Sequence, residues 1–368
     1  MIILSPMYTG AQAAEPVSFT IESKMLGEKC KAMVYLPYGY TTNKDKYPVV
    51  YVLDAEYNAA FTAEAATVLE GNEKMPPAII IGISSNNRGR DLTPAGDKGW
   101  TPPQEMPSSG GADRFLDYIE KELIPYVNKN YRAEPFNVII GHSLGGLLAM
   151  HSFATRPDLF QATIALESSL WWNDGAVGKE TMDFLTAHPG YKGKLFIARI
   201  KIPREVWFPI NTTIVDYFEK KRPAGLEYNY TELDKEEHAT MVFPATYFGL
   251  RDIFADHFFK LDEKANEKTV TDYYTALSAK YGYTVKMPQQ IFAFLWDMAG
   301  HDKKYPEAIK YGELRIKNYP NSYRAYMDLA GTYTETGNKE MAVQLLTKAL
   351  ELHPGDELII QLLKSATH

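Results

Sequence analysis

Short apolar runs punctuated by polar, glycine- and proline-rich breaks mark the first two thirds of the chain. Val17 to Ile21 and Lys31 to Leu36 read as strands, the second alternating in polarity. VVYVLD (49–54) and PPAIIIGIS (76–84) are continuous apolar runs of the kind buried on both faces of a parallel sheet. FNVII (136–140), ATIALESS (162–169) and KLFIARI (194–200) repeat that pattern, and LEYNYTEL (226–233) alternates. Between them, Ala59 to Leu69, Asp113 to Asn130, Leu144 to Ala154 and Thr212 to Lys221 carry helical patterning, the second despite Pro125. Residues 86–111, rich in Gly, Pro and Ser, form a loop of a length expected to be either functional or disordered. Strands alternating with helices predict a mostly parallel sheet covered on both faces.

After about Leu261 the strand runs vanish and Lys, Glu and Ala dominate. Pro320 and Pro354 lie 34 residues apart, the tetratricopeptide period. Tyr326, Leu329, Ala330, Tyr333, Gly337, Ala342, Leu346, Ala349 and Pro354 fit one such unit, and Ala308 with Pro320 fits an earlier one more loosely. Small residues at 330, 342 and 349 let paired helices approach closely. The expected division is an arm at 1–16, an α/β domain at 17–262 and a small all-α, tetratricopeptide-like domain at 263–368. With fewer than three clear repeats, the tail is expected to pack on the first domain or on a partner, another protein or a second copy in a homodimer.

Composition narrows the classes. The 368 residues suit two domains, and 45% hydrophobic content supports a sizeable core. A net charge of −7 with no basic run argues against nucleic acid. The single cysteine, Cys30, excludes an internal disulfide and reads as a strand residue. No stretch approaches the ~18 apolar residues of a membrane helix. In MIILSPMYTGAQAAEP (1–16), Ala11-Gln12-Ala13 resembles a signal-peptide cleavage site without a positive n-region. A periplasmic or secreted location is expected from it, a cytoplasmic one otherwise.

The chemistry centres on Gly141-His142-Ser143-Leu144-Gly145. Gly-x-Ser-x-Gly recurs by chance in about one chain in ten of this length. Here, however, a strand precedes it and a helix follows, the context of a nucleophile elbow. Glycines allow the sharp turn, and the new helix aims N–H groups at developing negative charge. A serine hydroxyl needs a base. Of eight histidines, His238 follows the last strand run. His142 is expected to point away into packing, and His151, His188, His257, His301, His353 and His368 to be structural or solvated. Backbone N–H groups of Leu144 and Ala55 are expected to form an oxyanion hole. Tyr57, Trp100, Trp171 and Trp172 offer aromatic walls, and Arg88 and Arg90 offer charge for an anionic substrate, with packing and loop-fixing as their plainer roles. No His-x-x-x-His pair, cysteine cluster or phosphate loop appears, so neither metal nor cofactor is expected.

VVYVLDAEY (49–57), NNRGRDLTP (86–94), GHSLGG (141–146), SLWW (169–172) and EEHATMV (236–242) together resemble α/β-hydrolases of the bacterial putative-esterase family. That family includes siderophore trilactone esterases, feruloyl-type esterases, S-formylglutathione hydrolase and mycolyltransferases. The likeness is greatest to siderophore-esterase-like proteins with a helical-repeat tail. It implies an α/β-hydrolase fold and a serine esterase acting on a small-molecule ester through an acyl-enzyme. Many relatives carry the triad acid after the strand that here is KLFIARI, where this chain has no near Asp. Glu167, at the end of ATIALESS, is the expected acid; Glu205, Glu237 and a bare Ser–His pair remain open. Acyl transfer, peptide hydrolysis, and a helical-repeat adaptor on an idle hydrolase scaffold are the rival functions.

Overall fold

The computed structural model describes residues 15–104, 106–202, 209–261 and 265–367. Glu205 and the residues 1–14 of the N-terminal arm lie outside these. Two compact units emerge, Met1–His257 and Phe258–His368.

The first unit is built on eight strands: β1 (Val17–Ser23), β2 (Glu28–Tyr35), β3 (Tyr47–Leu53), β4 (Ile79–Ile83), β5 (Ala133–His142), β6 (Ala162–Leu166), β7 (Gly193–Ile200) and β8 (Leu226–Leu233). Their order is β1-β2-β4-β3-β5-β6-β7-β8. β2 runs antiparallel to β1 and β4, while β3 to β8 are mutually parallel. This is the α/β-hydrolase topology. Every residue of β3, β4 and β6 is buried, which explains their uninterrupted apolar runs. Each enclosed Ile or Val contributes roughly 1.5–3 kcal/mol. Strand β8 lies at the sheet edge, so Leu226 and Leu233 are buried while Glu227, Asn229 and Glu232 face water. Cys30 is a buried β2 residue.

The helices of this unit are α1 (Ala55–Gly71), α2 (Arg88–Asp91), α3 (Ala112–Tyr118), α4 (Ile124–Asn130), α5 (Leu144–Thr155), α6 (Ala176–Ala187), α7 (Pro209–Lys221) and α8 (Val242–Ile253). Helices α3 and α4 are joined by a π turn at Ile119–Leu123. Pro125 lacks an N–H for the regular ladder, and a wider turn just before it absorbs that loss without ending the helix. The long loop holds the short α2, whose Asn87 cap accepts the Arg90 N–H at 3.0 Å. Helix α8 stops at Ile253, and His257 falls in the 3-10 turn that follows, buried.

The second unit is helical: α9 (Glu267–Tyr281), α10 (Gln289–His301), α11 (Tyr305–Asn318), α12 (Tyr323–Glu335), α13 (Lys339–Leu352) and α14 (Glu357–Thr367). Ala330, Ala342, Leu346, Ala349 and Ile359 are buried together where α12, α13 and α14 pack. Helices α10, α12 and α14 begin at residues 289, 323 and 357, a step of 34 each time.

Candidate active site

Parallel strands share one carboxyl edge, and β5 lies between β3 and β6. The turns that leave these three strands therefore meet at Ser143. Its backbone is forced to φ 59°, ψ −116°, between β5 and α5. A non-glycine residue held there stores about 1–3 kcal/mol. Surrounding bonds hold it: the Ser143 N–H donates to Leu166 O at 3.0 Å, and its carbonyl accepts from Leu147 and Ser169 N–H, each at 3.0 Å. The tightness explains the neighbouring glycines. A Cβ on Gly141 would lie 2.1 Å from Gly145 O, and one on Gly146 would lie 2.5 Å from Ser168 Oγ.

Ala55 and Leu144 are the first residues of α1 and α5, so neither N–H has an intrahelical acceptor. Asp54, which precedes Ala55, is left-handed at φ 54°, ψ 55°. The two turns touch: a Cβ on Gly145 would lie 3.4 Å from Asp54 Oδ2. Arg88 binds the Asp54 carboxylate through Nε–Oδ1 at 2.8 Å and Nη2–Oδ2 at 2.9 Å. Its Nη2 also approaches the His142 carbonyl at 3.4 Å. Sequence reasoning offered Arg88 either to an anionic substrate or, as its plainer role, to fixing the loop, and missed Asp54 as its partner. The only signal was the position of Asp54, immediately before the expected oxyanion donor.

His238 is exposed in the turn between β8 and α8. Its carbonyl accepts from His142 Nε2 at 2.8 Å, and the two rings stand 4.6 Å apart. His142 therefore does not point away into packing, as expected, but toward the His238 loop. A carbonyl only accepts, so Nε2 carries the proton. Burial, with the neighbouring His238 charge adding to it, lowers the His142 pKa to about 4 and keeps the ring neutral. Ser143 Oγ lies 3.3 Å from Ser169 Oγ, and among the described residues it makes no hydrogen bond to an imidazole. Ser169 is a further site residue that sequence reasoning passed over.

Glu167 stands at the carboxyl end of β6 with φ 40° and is only 8% exposed. Its side chain is turned to β7, the next strand. Oε1 accepts from Arg199 Nη2 at 2.7 Å and Oε2 from the Ile200 N–H at 2.7 Å. The carboxylate expected behind His238 thus has other partners. Glu237 is exposed on the His238 turn, where its N–H donates to Thr240 Oγ1 at 2.9 Å.

The substrate candidates divide. Tyr57 is 80% exposed on the first turn of α1. Trp171 is half-buried at the edge of the following 3-10 turn. Trp172 has 0% exposure, donates from Nε1 to Pro94 O at 3.1 Å and packs edge-on to Trp100. It is packing, with no face left for a substrate. Arg90 is committed to Asp91 at 2.6 Å and Glu28 at 2.5 Å, and so fixes the loop instead of awaiting an anion. Among the described residues no group of three His, Cys, Asp or Glu is placed to hold a metal, and no helix is long and apolar enough to cross a membrane.

A family model described as putative esterase matches residues 23–194. An IroE-like serine hydrolase from Shewanella oneidensis is 30% identical, with a TM-score of 0.71 over 82% of this chain and 99% of that one. The chain belongs to the putative esterase family. The ferri-bacillibactin esterase BesA of Bacillus subtilis is 36% identical over 157 residues, 38% of this chain and 54% of that protein. A siderophore triacetylfusarinine C esterase of Aspergillus fumigatus is 32% identical over 162 residues, 39% of this chain and 51% of that protein. The chain therefore spans about half the length of these two curated relatives.

Proposed function

We propose that the chain is a serine esterase that hydrolyses carboxylic esters of the siderophore type. The observation that carries this reading is the strained Ser143 backbone at the β5–α5 elbow, beside two helix N-termini. Ser143 Oγ bonds to the ester carbonyl carbon while His238 takes its proton. The Leu144 and Ala55 N–H groups donate to the oxyanion. Collapse expels the alcohol, which leaves with the proton from His238, and an acyl-Ser143 remains. Water, deprotonated by His238, then releases the acid and restores the serine. In this reading Ser143 and His238 work as a pair, while Glu167 fastens the end of β6 to the end of β7 through Arg199 and Ile200. Tyr57 and Trp171 are the aromatic groups offered to the acyl or aryl part of the substrate.

The substrate class rests on the printed names of the BesA and Aspergillus relatives. A periplasmic location belongs to the same proposal and rests on Ala11-Gln12-Ala13; N-terminal sequencing of the exported chain tests it. The 34-residue step of the helix starts supports a tetratricopeptide-type array after residue 288.

The test is turnover of a p-nitrophenyl ester and of catecholate and hydroxamate siderophore esters, with labelling by a fluorophosphonate probe. Ser143→Ala is expected to abolish turnover and labelling with the thermal midpoint retained. Wild-type rates in Ser143→Ala would refute the nucleophile, and wild-type rates in His238→Ala the base.

A further inference from the structure

We propose that His142 is the positioning residue for His238, holding the base in place through a side chain that sits one residue before the nucleophile; this rests on the Ser143–His238 reading above. The segment that carries His238 is a run of turns between β8 and α8. Its local ties, Met241 N–H to Glu237 O at 3.0 Å and Glu237 N–H to Thr240 Oγ1 at 2.9 Å, shape the turn from within. They do not relate His238 to the sheet. The His142 imidazole does, with Nε2 donating to the His238 carbonyl at 2.8 Å and the two rings in contact at 4.6 Å.

His142 is itself well held. It is the last residue of β5, paired with Leu166 of β6, and Arg88 reaches its carbonyl. A base tied to this residue keeps its register with Ser143, because adjacent residues of one chain are joined by fixed covalent geometry. The neutral ring has a second consequence. His238 gains a positive charge when it takes the serine proton, and a charged neighbour 4.6 Å away would oppose that step. The burial that keeps His142 neutral removes this opposition near pH 7.

Variants of different reach test the idea. A Gln amide extends far enough to donate where Nε2 donates; Asn reaches only about as far as Nδ1; Ala donates nothing. Activity on a p-nitrophenyl ester is measured as kcat and KM separately, beside thermal midpoints. His142→Ala is expected to lose about 10–100-fold in kcat, the cost of a base displaced by roughly 1 Å, with KM within twofold. His142→Gln is expected to recover most of kcat and His142→Asn little of it. An equal loss in the Gln and Asn variants at equal thermal midpoint would overturn the proposal, as would wild-type kcat in His142→Ala. Should His142→Ala fail to fold, the Gln–Asn comparison decides alone. A wild-type protein that turns over no ester refutes the Ser143–His238 reading itself, an outcome seen before any variant is made.

Discussion

Arg88 grips Asp54 with two parallel hydrogen bonds at 2.8 and 2.9 Å, and Asp54 is the residue that hands the chain over to Ala55. The pair ties the long 86–111 loop to the turn that supplies one expected oxyanion donor. The fork of a guanidinium matches a carboxylate in a way an ammonium cannot. Arg88→Ala is therefore expected to lower kcat by about 10–100-fold, less than the 10²–10³ of deleting a donor outright. Arg88→Lys is expected to restore little. Because Arg88 is partly exposed, the stability loss should stay near 1–2 kcal/mol. Steady-state kinetics and urea unfolding of the two variants check both expectations.

Glu167 and Arg199 are both buried, and each is the other's ionic partner at 2.7 Å. Removing one charge from such a buried pair costs about 3–5 kcal/mol. Glu167→Gln is expected to lower the urea midpoint accordingly, and Glu167→Gln with Arg199→Met to regain much of it. If Glu167 instead orients His238, the single variant will lose kcat/KM with unchanged stability. The double-variant unfolding curves and kinetics separate these roles.

His151 joins three helices, with Nδ1 3.0 Å from Glu180 of α6 and Nε2 3.0 Å from Asp113 of α3. Burial alone would lower its pKa, but the hydrogen bonds to Glu180 and Asp113 outweigh this and raise it. A group whose folded pKa lies above its unfolded value stabilises fully below the unfolded value, about 6.5. That stabilisation fades as pH rises through the folded pKa. Thermal midpoints of the wild type are expected to fall on going from about pH 6 to 9 relative to His151→Gln, in which this part of the slope should be absent.

Gly141→Ala probes the elbow. The added Cβ would overlap Gly145 O at 2.1 Å, and a backbone atom cannot swing aside as a side-chain tip can. Overpacking of this kind costs about 1–3 kcal/mol, occasionally more. The variant is expected to lose fluorophosphonate labelling as well as stability, because the turn must deform to admit the methyl group.

The elements most plainly legible in the chain are those whose residues all share one environment. IIIGI and ATIAL announce buried strands because water touches neither face. Helix α6 carries no such mark. Only Val177, Gly178, Thr181 and Leu185 of its residues are buried, and its polar remainder dilutes the stripe. The short α2 was hidden in a loop because four residues are too few for a period.

By itself the sequence determined the sheet's central strands, the elbow at Ser143, the carboxyl edge to which His238, Ala55 and Glu167 would come, and the 34-residue rhythm of the tail. These follow from local steric rules and from repeating burial, both written in consecutive residues. Tertiary structure alone decided the partners. Glu167 met Arg199 because β6 and β7 are neighbours, with Leu166 opposite Ala198. Asp54 met Arg88 across 34 positions of chain, and His142 met the carbonyl of His238 across 96. A hydrogen bond acts over about 3 Å, so its partner is chosen by which turns the sheet brings together, and no spacing along the chain encodes that choice.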